Sequence, residues 1–256
     1  MLNTQHAERR IAAGIVLALA AVCSHAASTP PNAGAAMHAQ VPSETLSIRQ
    51  QAIVRIAAWG AAGDMSGLAA ALNQGLDAGL TVNEAKEVLV QLYAYAGFPR
   101  SLNALSELMK VVDSRKQRGV HDEAGPAPTR SIPSGDALLV AGTANQTRLI
   151  GAPARGAIYD FAPVIDQYLK AHLFGAIFER DNLDWQSREL ATVGMLSALQ
   201  GAESQLQAHM GFSMNVGLTA GQLGQLSQLL ADQVDREMGR RAQAALTRQL
   251  ASRPQR

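Results

Sequence analysis

The segment from Arg188 to Thr219 contains the side chains of this chain that are best suited to acid–base chemistry. Its histidine, His209, could take up and release a proton near neutral pH. Arg188 could bind a substrate carboxylate through two hydrogen bonds, and the adjacent Glu189 could orient the histidine. Each residue also has a structural explanation. His209 could be a hydrogen-bonded helix residue, and Arg188 and Glu189 could be surface charges at the start of a helix.

The same segment resembles an earlier part of the chain at a constant spacing. The tripeptide Gly-Leu-Thr at residues 79–81 recurs at residues 217–219, which is 138 positions later. The match continues without a gap over roughly 45 residues and predicts an internal duplication. Where one copy has His209, the other has Ala71. Further identical pairs are Gly63 and Gly201, Leu68 and Leu206, Ala70 and Ala208, and Leu92 and Leu230.

The N-terminus has the pattern of a secretory signal peptide. Two arginines precede the apolar run Ile11–Val22, and small residues follow it, so we expect cleavage after Ala26. The run is shorter than the roughly 20 apolar residues that a membrane-spanning helix needs. Cys23 leaves a lipoprotein as the alternative, although Val22 is an unusual residue to precede a lipidated cysteine. We therefore expect a periplasmic or secreted protein that leaves the membrane after cleavage.

The composition after this cleavage excludes several classes of function. The 22 basic and 21 acidic residues of the full chain become 20 of each once Glu8, Arg9 and Arg10 are removed. A neutral chain without a basic stripe is a poor match for nucleic acid, whose phosphates must be neutralised. Because Cys23 is the only cysteine, the mature chain has no disulfide and no thiol chemistry.

Apolar residues recur at helical spacing along the mature chain, and no segment alternates with period two, so the predicted fold is all-α. Two capping boxes, Thr81 with Glu84 and Thr219 with Gln222, are predicted to start helices after a Gly-Leu turn. In the segment 120–156, Leu138–Ala141 is expected to make only a local apolar contact. The predicted organisation is a signal peptide at 1–26, a flexible leader at 27–43, a first helical repeat at 44–119, a linker at 120–156, a second helical repeat at 157–235 and a basic, solvated tail at 236–256.

Several short motifs together resemble the carboxymuconolactone decarboxylase family. In the second copy they are residues 182–185 (Asn-Leu-Asp-Trp), 188–190 (Arg-Glu-Leu) and the positions of Leu206, His209, Gly217 and Thr219. In the first copy they are Thr81, Glu84 and Glu87, followed by residues 95–99 (Tyr-Ala-Gly-Phe-Pro) and by Asn103 and Ala104. Residues 174–180, with Phe174, Gly175, Ile177 and Arg180, resemble the helix that precedes the family's core repeat.

The resemblance implies two tandem helical repeats of the alkylhydroperoxidase D type and assembly into homo-oligomers, with a trimer favoured because each repeat alone would expose apolar helix faces. It also implies decarboxylation of a small carboxylic acid or lactone without a cofactor. In that chemistry Arg188 or Arg180 would bind the carboxylate, Tyr95 would line the pocket, His209 would deliver a proton and Glu189 would orient it. Tyr95 could equally be a core or subunit-contact residue.

Two further functions remain as alternatives. The scaffold could bind a small acid or a partner without catalysis, and export favours this because the aromatic-acid pathway that the family name implies is cytoplasmic. The family's peroxidase branch has a Cys-x-x-Cys motif before its histidine, but those positions are Ala202 and Gln205 here. The run His121-Asp122-Glu123 is too isolated to predict a metal site, so we expect neither metal nor cofactor.

Overall fold

The computed structural model describes residues 44–252, so the predicted signal peptide, Cys23 and the leader lie outside the described residues. Residues 44–252 form helices connected by turns and contain no β-strand, which confirms the all-α prediction. None of these helices is both long enough and apolar enough to cross a membrane. The elements are α1 Ile48–Ala62, α2 Met65–Asp77, α3 Val82–Gln91, α4 Tyr93–Gln117, α5 Asp136–Ile150, α6 Ala157–Phe161, α7 Pro163–Tyr168, a π-helix Leu169–Ile177, α8 Trp185–Ala198, α9 Glu203–Asn215, α10 Ala220–Gln233 and α11 Arg236–Ser252.

The predicted helix boundaries at the two Gly-Leu-Thr sequences are confirmed. Gly79 and Gly217 have φ angles of 85° and 100°, in the left-handed region that ends a helix most easily at glycine. Thr81 then caps α3 in a capping box with Glu84. Thr219 caps α10 in the same way, with Gln222 as the partner. Local sequence chemistry therefore sets these helix starts.

Gly97 and Pro99 predict a break in the helical pattern, and helix α4 is kinked there. Gly97 has φ 81° and ψ 162°, which no helical residue adopts, and Pro99 follows it. The helical pattern after the break predicts a further helix that starts at Ser101, and the helical segment beyond the kink contains it. The Tyr93 and Phe98 rings stack across the kink with centroids 4.6 Å apart.

The segment predicted to be a linker contains a full helix that the sequence did not predict. Leu138–Ala141 is part of α5, and α5 packs closely against the π-helix. A β-carbon on Gly142 would lie 1.8 Å from the Lys170 carbonyl oxygen, so only glycine permits this approach. The buried positions of α5 are Gly142, Gln146 and Leu149. Because only one of the three is a large apolar residue, the buried face of α5 does not form an apolar stripe in the sequence. The apolar pattern of residues 159–178 predicts one helix, but these residues are divided among α6, α7 and the π-helix.

The predicted solvated tail is a packed helix. α11 contacts α8, α9 and α10, and its buried residues are Met238, Gly239, Ala242, Ala245 and Leu246. The Arg241 guanidinium donates hydrogen bonds to the Ser197 carbonyl oxygen. The apolar residues recur at helical spacing between the arginines, so the basic character of the segment conceals an amphipathic helix.

Helices α1–α4 and α8–α11 share one hydrophobic core, and α1 and α8 pack together most extensively within it. A second apolar cluster joins the π-helix and the end of α5 to Trp185 and Phe212. The two predicted repeats therefore do not form separate domains. Residues from both halves of the chain meet between α3, α4 and α8, which is where the candidate site lies.

Replacing Gly194 with alanine is expected to lower the free energy of unfolding by about 1–3 kcal/mol, because the core at the α1–α8 crossing has no space for a methyl group. A β-carbon at this position would lie 2.8 Å from the Val54 carbonyl oxygen and 3.2 Å from the Ala57 β-carbon. The matched control is Gly224→Ala in α10, where a β-carbon meets nothing within 4 Å. The control should stabilise the protein by about 0.5–1 kcal/mol through helix propensity. Urea unfolding followed by circular dichroism measures both, and equal effects would contradict the close crossing.

Candidate active site

Helices α8 and α9 bring Glu189 and His209 together in the protein interior. The Glu189 carboxylate oxygen Oε2 lies 2.8 Å from Nδ1 of His209. Glu189 is fully buried, and His209 is only 7 % exposed. A buried carboxylate bonded to one ring nitrogen fixes the imidazole orientation and leaves the other nitrogen for proton exchange. The two residues that the sequence assigned to proton transfer are therefore placed as a pair.

Aromatic rings enclose this pair on two sides. The His209 ring is edge-on to Tyr95 and to Phe212, with centroid distances of 5.9 and 4.9 Å. The second carboxylate oxygen of Glu189, Oε1, is buried and has no hydrogen-bond partner among residues 44–252. In such a low-dielectric site a charge on either partner acts strongly on the other. One carboxylate oxygen of Glu189 thus holds the imidazole, and the other makes no hydrogen bond within residues 44–252.

Tyr95 connects the pair to the other half of the chain. It lies in α4 and its hydroxyl is 3.2 Å from Oγ1 of Thr192, which also accepts a hydrogen bond from Gln91 in α3. Burial raises the pKa of Tyr95, and the nearby charge of Glu189 raises it further. Tyr95 therefore stays protonated and can serve as a hydrogen-bond donor but not as a base.

Arg188 contacts a different set of residues from its neighbour Glu189. Consecutive helix residues point about 100° apart, and Arg188, which is also fully buried, has different hydrogen-bond partners from Glu189. It donates hydrogen bonds to the Glu87 carboxylate (3.2 Å), the Gln91 side chain (3.2 Å) and the Arg180 carbonyl oxygen (2.8 Å). Burial lowers its pKa, and the pairing with Glu87 opposes that change. The structure thus places Arg188 in an internal ion-pair cluster, where it has no contact with solvent.

Arg180 belongs to the same cluster. Its Nε and Nη2 atoms donate to the two oxygens of Glu87, with the shortest contact at 2.6 Å, and Asn182 donates to Glu87 at 3.2 Å. Burial opposes ionisation of Glu87, but the hydrogen bond from Arg180 and the charge of Arg188 outweigh it, so the net pKa is lowered. Glu87 thus joins α3 to the residues before and within α8. The sequence showed Glu87 only as a family-motif residue and gave no signal of this role.

Two cavities lie on either side of Arg180. One, of about 530 Å³, lies between α3 and α4 and is mostly aliphatic, with Val90, Leu108 and Met109 in its wall. The other, of about 670 Å³, lies at the start of α8 and is more polar, with Arg148 and Trp185 in its wall. Neither cavity is lined by Glu189 or His209. The structure therefore places the partly exposed Arg180, but not Arg188, where a ligand could reach it.

The run at residues 121–123 is tied into the fold by its middle residue. Both carboxylate oxygens of Asp122 accept hydrogen bonds from the buried Arg115, at 2.9–3.0 Å. Within residues 44–252 no group of three or more His, Cys, Asp or Glu side chains is arranged to hold a metal ion.

Comparison with known proteins supports a family assignment. The model of the carboxymuconolactone decarboxylase family matches residues 163–246. This segment begins in α7, ends in α11 and contains Arg180, Arg188, Glu189 and His209. A search of the curated proteins found no significant match. Residues 163–246 therefore form a segment that matches the carboxymuconolactone decarboxylase family.

Proposed function

We propose that the protein is a cofactor-independent carboxy-lyase in which Glu189 and His209 transfer a proton to a small carboxylated lactone or a related acid. The observation that carries this proposal is the buried pair, with Nδ1 of His209 2.8 Å from the Glu189 carboxylate. A histidine kept only for packing does not require a buried carboxylate, because burying that charge is costly. The pairing is the arrangement expected of an oriented acid–base residue.

The proposed reaction balances without a redox partner or metal. The bond between the carboxylate carbon and the adjacent carbon breaks, carbon dioxide leaves, and the electron pair moves into the conjugated carbonyl of the substrate. The protonated imidazole of His209 then delivers a proton to the carbon, and Glu189 stabilises the imidazolium while it is charged. Tyr95, which stays protonated, could donate a hydrogen bond to the developing negative oxygen.

The proposal includes export, oligomerisation and duplication. We propose that residues 1–26 direct the chain to the periplasm or outside the cell, and that the mature chain forms a homo-oligomer, with a trimer favoured. The proposed duplication is supported by helix bounds, since α2 (Met65–Asp77) and α9 (Glu203–Asn215) are displaced by the same 138 residues at both ends. In the first copy the position of His209 is Ala71, so only the second copy would be catalytic.

An activity assay with the protein lacking residues 1–26 tests the function. A panel of carboxylated lactones and unsaturated acids is incubated with the protein, and released carbon dioxide is measured. The His209→Ala protein, prepared in parallel, controls for contaminating activity. The proposal expects release from at least one substrate by the wild type only. Equal release by both preparations, or release by neither, would overturn it.

A non-enzymatic small-acid-binding protein is the second candidate. It is favoured by the separation of the two cavities from the Glu189–His209 pair. It predicts saturable binding of acids with no turnover. A thiol peroxidase is disfavoured because Ala202 and Gln205 occupy the positions of the family's two cysteines.

A further inference from the structure

We infer that the cavity of about 670 Å³ at the start of α8 binds the carboxylate of a small cyclic organic acid, with Arg148 as its anchor. The inference rests on the proposed function only in that this acid would be the substrate. Cavities of roughly 300–1,000 Å³ are typical of small-molecule sites. Arg148 lies in α5, within the segment that the sequence predicted to be a linker.

Arg148 is an exposed residue that lines the cavity, and within residues 44–252 its side chain uses none of its hydrogen-bond donors. The central carbon of its guanidinium lies 4.4 Å from the centroid of the Trp185 ring, in a cation–π contact. In the described part of the chain, the guanidinium makes no ion pair and donates no side-chain hydrogen bond. Stacking restricts the guanidinium plane and leaves its N–H groups available, which is the pre-organised state that a bidentate carboxylate contact needs.

The acidic residues of the cavity wall are already engaged elsewhere. Asp184 caps α8 and accepts hydrogen bonds from the backbone N–H (2.8 Å) and the hydroxyl (3.0 Å) of Ser187. Asp181 accepts hydrogen bonds from the hydroxyl and backbone N–H of Thr129, and these contacts lower its pKa to about 2. Neither acid neutralises Arg148.

The remaining charges around the cavity are also accounted for. Arg180 is bound by Glu87, and Arg130 lies 3.9 Å from Asp181. The nearby Glu179 accepts a hydrogen bond from Asn145, at 2.6 Å. Among residues 44–252, Arg148 is therefore the cation of this cavity that has no carboxylate partner, and an anionic ligand would supply one.

The apolar part of the wall favours a ring on the ligand. Phe178 and Trp185 pack edge to face with centroids 5.4 Å apart, and Leu183 and Val216 also line the cavity. A planar apolar ring buries area against such side chains, while its carboxylate would face Arg148. The charge of Arg148 and the apolar side chains of the wall together favour a cyclic monocarboxylate as the ligand.

The cavity and the proton-transfer pair are neighbours along the same two helices. Trp185 is one turn before Glu189 in α8, about 6 Å along the axis, and Val216 follows His209 by about two turns of α9. Phe212 contacts the His209 ring and packs in the same cluster as Trp185. The cavity therefore adjoins the helices that carry the proposed proton-transfer pair, although neither Glu189 nor His209 lines it.

Calorimetric titration with benzoate, and with benzamide as its uncharged analogue, tests this site in the wild type, Arg148→Met and Arg118→Met. Methionine keeps an apolar side chain over Trp185 but removes the charge. Arg118, exposed directly after the end of α4 and outside the cavity, provides the matched control. We expect benzoate to bind the wild type and Arg118→Met at least about tenfold more tightly than benzamide. In Arg148→Met that preference should disappear.

Two results would overturn the inference: wild-type protein that does not prefer benzoate, or Arg148→Met protein that binds it as the wild type does. Because binding is measured without turnover, its outcome is independent of the lyase assay. Benzoate binding lost in Arg148→Met, with no lyase activity in the wild type, would keep the site and reject the proposed function. Lyase activity of the wild type, together with unchanged benzoate binding in Arg148→Met, would keep the proposed function and reject the site.

Discussion

Glu189→Gln and His209→Gln are each expected to reduce kcat of the proposed lyase by about 10²–10⁴-fold, the usual contribution of a positioned acid–base residue. Glutamine at position 189 keeps the size of the side chain but removes the charge that stabilises an imidazolium. Glutamine at position 209 keeps a polar side chain but cannot deliver a proton. The 2.8 Å contact between the two side chains is the physical reason to expect effects of similar size.

The double variant distinguishes a working pair from two independent residues. If the imidazole acts only when Glu189 orients and stabilises it, the double variant should be no slower than the slower single variant, because coupled residues are not additive. His172→Gln, at an exposed histidine in the π-helix, is the matched control and should retain wild-type kcat. If the fold-reductions in kcat of the two single variants multiply in the double variant, Glu189 and His209 do not act as a unit.

Glu87→Gln is expected to lower the free energy of unfolding by about 3–5 kcal/mol, which is the range for removing one partner of a buried ion pair. The change leaves Arg188 fully buried with no carboxylate within 4 Å, and it also frees Arg180. Glutamine is nearly the same size as glutamate, so loss of charge and not a cavity is measured. Chemical denaturation at pH 7 measures the difference.

Glu237→Gln is the matched control for this substitution. Glu237 is half-exposed on α11 and pairs with Arg240 at the surface. Solvent screening limits such pairs to about 0–1 kcal/mol. A Glu87→Gln effect as small as the control effect would show that the cluster contributes little to stability.

The pH dependence of stability provides a second readout for Glu87. Its pKa in the folded protein is lowered from the ordinary 4.5, because the hydrogen bond from Arg180 and the charge of Arg188 together outweigh the opposing effect of burial. A lowered pKa stabilises the fold above the unfolded value, and this contribution disappears as the pH falls below 4.5 towards the folded value. The wild type should therefore lose more stability than Glu87→Gln between pH 5 and pH 3. Parallel pH profiles would contradict the ion-pair assignment.

The sequence alone was sufficient for features that depend on neighbouring residues. The capping boxes at Thr81 and Thr219 and the kink at Gly97 follow from side-chain reach and backbone freedom within a few positions. The family assignment followed from short motifs whose order is preserved, and the family match at 163–246 supports it. Helical periodicity also fixed the all-α class.

The sequence did not predict that helices with weak apolar patterns on their buried faces pack into the fold. α5 buries Gly142 and Gln146 and has the composition of a linker, although the absence of a β-carbon at Gly142 is what lets it approach the π-helix. α11 has the composition of a solvated tail, because four arginines are interspersed with its five buried residues. In both helices, burial depends on which neighbour covers the face, and a local pattern does not carry that information.

The site shows the same division. Sequence placed Arg188 and Glu189 together as candidate residues, and only the tertiary structure separated them. Their positions on α8 differ by about 100°, so Glu189 meets His209 of α9 while Arg188 meets Glu87 of α3. The types of residue determined what chemistry is available to this protein. The packing of α3, α4, α5 and α9 around α8 decided which side chains face each other and which remain available to a ligand.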